Sequence, residues 1–142
     1  MSKSKSLPGV DIADHSGAGY KALLKTDGDW IAAIKNGTPD SWKIPSEIDT
    51  HPDTDELFVL VSGRGVLMTA GRGAKPGKMS VAEMKKFVLY NVKAGTWHVN
   101  SLSPDAKFII VERGGKFLES SKRVKLKQAQ QDAIRVAKLG LV

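Results

Sequence analysis

Between Leu57 and Glu112 the chain repeats one pattern: a short apolar run, then a break of glycine, proline, serine, aspartate or lysine. Leu57–Val61, Val66–Thr69, Met79–Met84, Phe87–Val92, Thr96–Asn100 and Lys107–Glu112 each read as a strand. Ser62-Gly63-Arg64-Gly65 and Ser103-Pro104-Asp105 supply turns, and Lys85-Lys86 is expected to join two of the strands as a hairpin. Many short strands at near-regular spacing predict an antiparallel sandwich or barrel.

Upstream, Tyr20–Lys25 and Trp30–Ile34 flank Thr26-Asp27-Gly28-Asp29, where Asp-Gly suits the positive φ of a tight hairpin. Trp30 is expected in the core. Residues 36–48 read as a loop in which Trp42 packs, and residues 1–19 as a flexible arm with His15 on the surface. The period changes in the tail. Leu126, Ala129, Ala133 and Val136 form a helical stripe, predicting one amphipathic helix over about Lys125–Leu139 that stops at Gly140. The expected organisation is an arm over 1–19, a β-sandwich over 20–120 and a helical segment over 121–142 packed on the same domain.

At 142 residues the chain suffices for one domain with a substantial core. It has no cysteine, so a metal would be held by nitrogen and oxygen ligands. The net charge of +7 is uneven: residues 116–142 carry seven Lys and Arg against two acids, whereas Asp49, Asp53, Asp55 and Glu56 cluster around His51. The basic tail lacks interleaved aromatics and reads as a solvated helix face, so no nucleic-acid partner is expected. With no apolar span of membrane length and no secretory signal, the expectation is a cytoplasmic protein without membrane contact. Gly63-Arg64-Gly65 and Gly71-Arg72-Gly73 lack the Gly-Lys-Ser/Thr of a phosphate loop, and no Gly-x-Ser-x-Gly elbow occurs.

The chemistry-bearing residues fall in two places. Asp49, His51 and Glu56 precede the first long apolar run, and His98 closes Ala94-Gly95-Thr96-Trp97-His98. Residues two apart on a strand face the same way, so Asp49 and His51 can point together, and Glu56 joins them if Pro52–Asp55 bends. Two imidazoles with one or two carboxylates suit iron, manganese, nickel or zinc. Without a metal, His98 can serve as a general base with Glu56 or Tyr90 as its proton partner. Alternatively, Glu56 caps backbone amides and His98 is a hydrogen-bonded core residue.

His51 and Glu56 with Gly63 resemble the first motif of the cupin superfamily, and Ala94–His98 with Asn100 resembles the second. The resemblance, to small RmlC-like cupins of generally unassigned function, implies an all-β double-stranded β-helix, the cupin jelly roll, with one C-terminal α-helix. It also implies a divalent metal held by Asp49, His51, Glu56 and His98. Glu56 and His98 are then also the candidate catalytic residues, acting with Asp55 on a small carboxylate or sugar-like metabolite, and the chain is a homodimer. Isomerase, lyase and dioxygenase chemistry are all consistent with that, as is a metal-free ligand-binding cupin. Three positions depart from the family pattern. Asp49 stands in a histidine's place, Lys93 in a proline's, and Leu102 in an asparagine's. Ala94–His98 also resembles a short piece of ureidoglycolate lyase.

Overall fold

Thr26 and Asp29 show how local chemistry starts the first sheet. Thr26 N donates to the Trp30 carbonyl at 2.8 Å and Asp29 N to the Thr26 carbonyl at 3.0 Å. The left-handed residue is Asp29, with φ 64°, one position after the expected glycine; a short polar side chain tolerates that conformation. This turn joins β1 (Gly19–Lys25) to β2 (Trp30–Asn36) in the computed structural model, which describes residues 7–139. Residues 1–6 of the expected arm, and Gly140 as a helix stop, lie outside the described residues.

The remaining strands are β3 (Glu47–Thr50), β4 (Glu56–Ser62), β5 (Gly65–Thr69), β6 (Ser80–Glu83), β7 (Leu89–Val92), β8 (His98–Leu102), β9 (Lys107–Arg113) and β10 (Lys122–Lys125), followed by α1 (Gln128–Leu139). They form two five-stranded antiparallel sheets, ordered β1-β2-β9-β4-β7 and β10-β3-β8-β5-β6. This is the expected all-β jelly roll with one C-terminal helix.

The expected hairpin across Lys85-Lys86 does not form. β6 pairs with β5 and β7 with β4, so the two strands belong to opposite sheets. The corner is abrupt: Met84 N donates to Gly65 O in the second sheet, and Phe87 N, three residues later, to Leu60 O in the first. Phe87 makes the corner with φ 61°. β8 and β9 likewise lie in different sheets. Gly63 is required at the β4–β5 corner, where φ is 71° and a Cβ would come within 2.6 Å of the Ala106 backbone.

Two further corrections concern the ends of the chain. Ahead of the expected helix, Lys122–Lys125, inside the segment 121–142 assigned to it, instead forms β10 and pairs with β3. Its four residues are all exposed, so apolar patterning carries no trace of it. Trp30 is 44% exposed and lies beneath the Arg113 guanidinium at 5.4 Å instead of entering the core.

The sheets enclose Phe58, Leu60, Met84, Leu102, Phe108 and Ile110, with Phe58 and Phe108 stacked at 4.9 Å. A second cluster lies between the other face of the second sheet and α1, where Ile134 meets Ile48, Val66, Met68 and Trp97. One sheet is therefore covered on both faces. On the first sheet the register aligns Leu57, Val111 and Ala32 in one outer row and Leu89, Val59, Ile109 and Ile34 in the next. Leu89 is 68% exposed there, and no helix among the described residues covers it.

Candidate metal centre

β3 and β4 belong to opposite sheets, and the chain between them turns at Pro52-Asp53. That bend carries Glu56 back toward His51. The loop is held by its own polar groups: Gly95 N donates to the His51 carbonyl at 3.0 Å, and Asp55 accepts from Ala94 N at 2.8 Å and Asn91 Nδ2 at 3.1 Å. These donors lower the Asp55 carboxyl pKa below its ordinary value, the Ala94 amide contributing most. Asp55 is thus engaged as a loop anchor.

His51, Glu56 and His98 come together. One ligand atom from each lies within 4.8 Å of the others. His51 Nε2 is 3.0 Å from Glu56 Oε2, His98 Nε2 is 3.7 Å from Glu56 Oε1, and the imidazole centroids are 5.3 Å apart. The outer nitrogens have partners as well. His98 Nδ1 donates to the Thr96 carbonyl at 2.9 Å, and His51 Nδ1 lies 2.7 Å from Ser121 Oγ in the segment leading into β10. With its Nδ1–H so occupied, neutral His98 presents an Nε2 lone pair to the group.

Asp49 is directly opposite His98 across the β3–β8 bridge and shares its face. Its carboxylate is taken by Arg123, opposite it on β10, at 2.6 Å and 3.2 Å. Asp49 is therefore outside the three-residue group. Tyr90 is also engaged elsewhere, its hydroxyl accepting from Lys85 N at 2.9 Å. His15 is held locally, Nε2 to the Gly19 carbonyl at 3.0 Å.

Two groups near the site have no counterpart in the sequence reading. Glu112 on β9 is the cross-strand neighbour of Glu56 and is 6% exposed. Lys35 on β2 donates to Asn100 Oδ1 on β8 at 3.0 Å, bridging the two sheets. The signal for both was positional: each belongs to the inward row of its strand, Glu112 in register with Glu56 and Lys35 with Phe108.

Electrostatics divides the carboxylates. Burial opposes ionisation of Glu56, but hydrogen bonds with His51, His98 and Glu112 hold its carboxyl well below the usual range. Glu112 has burial and the neighbouring Glu56 charge against it and is pushed up to about 9. One carboxyl stays charged and the other keeps its proton. Burial disfavours the His98 imidazolium, yet the neighbouring Glu56 carboxylate, with the Thr96 carbonyl, raises its pKa above the ordinary value. Lys35 is lowered, chiefly by burial, against the opposing pull of Glu56 and Asp49.

A cleft of about 250 Å³ opens beside the group. Thr69 and Val92 line it, and they are the cross-strand neighbours of His98 and Glu56.

No protein-family model matches the sequence, and no curated protein does. Solved structures do. The capsular polysaccharide assembling protein CapF from Staphylococcus aureus is similar with a TM-score of 0.56 and 15% identity over 80% of this chain and 34% of that one. A cupin-like protein from Thermotoga maritima gives 0.53 and 14% over 87% and 96% of the two chains. An oxalate decarboxylase variant from B. subtilis gives 0.53 and 15%, covering 92% of this chain and 35% of its own. The chain has the cupin fold. The Thermotoga protein, matched over nearly its full length, shows that one copy of the fold accounts for most of this chain. The local likeness to ureidoglycolate lyase has no support in these comparisons. No helix among the described residues is long and apolar enough to cross a membrane.

Proposed function

We propose that this chain is a metal-dependent cupin that binds and transforms a small polar metabolite, with His51, Glu56 and His98 as the protein ligands. The observation that carries this reading is the convergence of their three ligand atoms within 4.8 Å. The donor set fits the group. Two imidazoles and one carboxylate suit divalent iron, manganese, nickel or zinc and leave positions open for a small molecule. When bound, such an ion supplies Lewis-acid polarisation of a carbonyl or carboxyl oxygen. In this reading Asp49 belongs to the wall, neutralised by Arg123, and is not a fourth ligand. Glu56 and His98 act by holding the ion. Glu112 keeps a proton beside Glu56 at neutral pH and is the acid nearest the site.

Elemental analysis of untagged protein, as purified and after reconstitution with each of the four metals, tests this. The expected result is about one ion per chain in the wild type and loss of the ion in His51→Ala and His98→Ala. A second reading is a ligand-binding cupin without metal, favoured by the fact that His51 and Glu56 already pair with each other at 3.0 Å. Wild type that takes up none of the four metals would decide for it.

We also infer a homodimer formed through the outer rows of the first sheet, around Leu57, Val59, Leu89 and Ile109. The support is the lack of a covering layer on those apolar rows while α1 covers the second sheet. A two-fold pairing of such faces buries both at once.

A further inference from the structure

Lys35 faces into the sandwich on the inward row of β2, where Phe108 is its neighbour on β9 and Tyr20 on β1. A lysine turned inward gives up hydration, so its partners matter. Its ammonium has three donors, and one goes to Asn100 Oδ1. Neither nearby carboxylate has taken it: Glu56 is committed to His51 and His98, and Asp49 to Arg123. Among the described residues, Lys35 has no ion pair within 4.0 Å.

Position makes this cation more than a tie between sheets. Asn100 stands two residues after His98 on the same inward face of β8, about 7 Å further along the strand, and holds the Lys35 ammonium on that side of the group. The Asn100 oxygen accepts from Lys35, which leaves the Asn100 amide nitrogen as a second donor at the same place. Tyr20, the cross-strand neighbour of Lys35, is 49% exposed and marks that side as reached by water. With an ion in the group, Glu56 is offset by it, Asp49 by Arg123, and the Lys35 charge is in surplus.

We propose that Lys35 and Asn100 anchor the carboxylate of a short organic acid whose other end lies against His51, Glu56 and His98. The inference deepens the metal reading and rests on it. It names the substrate class as small acids with a carboxylate and a second oxygen group a few bonds away, in preference to neutral sugars.

The test is calorimetric titration of malonate, with neutral malonamide as control, into Mn(II)-reconstituted wild type, Lys35→Met and Lys35→Arg, with metal content measured on every sample. Wild type is expected to bind malonate and not malonamide. Lys35→Met should bind malonate about tenfold more weakly or worse with its Mn(II) unchanged, and Lys35→Arg should recover part of the loss. Lys35→Met that holds both Mn(II) and malonate as wild type does overturns the anchor while leaving the metal reading in place. Wild type that takes up no Mn(II) overturns both. If Lys35→Met does not fold, Asn100→Asp presents the ammonium with a fixed carboxylate. Undiminished malonate binding by that variant also overturns the proposal.

Discussion

Asp49 and Arg123 face each other across β3 and β10, and both oxygens of the aspartate are engaged, at 2.6 Å from Nε and 3.2 Å from Nη2. The pair puts a neutralised carboxylate where the family pattern has a histidine. Asp49→Asn is therefore expected to keep the full metal content, while His51→Ala loses it. Arg123 is exposed and Asp49 partly so, and the ion pair is solvent-screened, so the change should cost about 1 kcal/mol of stability. Elemental analysis and chemical denaturation of the two variants check both statements, and loss of metal from Asp49→Asn would restore Asp49 to the ligand set.

Ser121 supports the His51 ring of the proposed metal centre. Its hydroxyl lies 2.7 Å from Nδ1, and β10, which follows it, is fixed to β3 through Asp49–Arg123. Partners of this kind set ring orientation, and their loss commonly costs about tenfold in metal affinity. Ser121→Ala should weaken Mn(II) or Zn(II) binding by about that factor, with thermal stability little changed. Competition against a chromophoric chelator reads the difference, and an unchanged affinity would make the contact incidental.

In the proposed metal centre, proton competition at His98 governs how uptake depends on pH. Glu56 raises the His98 pKa above its ordinary value, and a ligand must lose its proton to bind. Affinity should therefore keep rising with pH beyond about 6.5, the ordinary histidine value, instead of levelling there. In the metal-free protein the sign reverses for stability. The raised His98 pKa contributes fully at acid pH below the unfolded value and is lost as pH climbs through the folded one. Chelator competition and denaturation of metal-free protein, each across pH 5–9, test the two opposite slopes.

The outer rows of the first sheet make a separate claim about assembly. Ile109, 37% exposed, lies between Val59 and Ile34 in one of them. Ile109→Lys places a charge in the middle of the proposed interface while leaving the inner core untouched. Wild type should run as a dimer in light scattering and Ile109→Lys as a folded monomer. A monomeric wild type at working concentration would remove the dimer.

What could be read from the chain divides along the range of the interactions involved. Strand identity rests on local composition, so the runs around Phe58, Tyr90 and Phe108 were legible; the set of Asp49, His51, Glu56 and His98 came from the resemblance to the cupin motifs, and three of those four converge. Pairing depends on partners far away in sequence. Ser80–Glu83 and Leu89–Val92 resemble two arms of a hairpin until Phe87 turns the chain into the other sheet. Lys122–Lys125 becomes a strand through the free edge of β3 and not through its own polar, exposed residues. Glu112 and Lys35 were hidden for a related reason. A charge at the end of an apolar strand resembles a surface residue until register places it beside Glu56 or across from Asn100.

Glu112 carries the clearest electrostatic consequence of that register. Buried next to the charged Glu56, it is protonated in the folded protein up to about pH 9, whereas in the unfolded chain it ionises near 4.3, its ordinary value. Between those values the folded state binds one more proton than the unfolded state, so Glu112 makes stability fall as pH rises. The slope from this one group is at most about 1.4 kcal/mol per pH unit. Glutamine has the shape of the protonated acid and does not titrate. Glu112→Gln should match wild type near pH 4 and exceed it increasingly up to pH 9, as measured by denaturant unfolding of chelator-treated protein. A constant difference across that range would mean that Glu112 is already ionised in the fold.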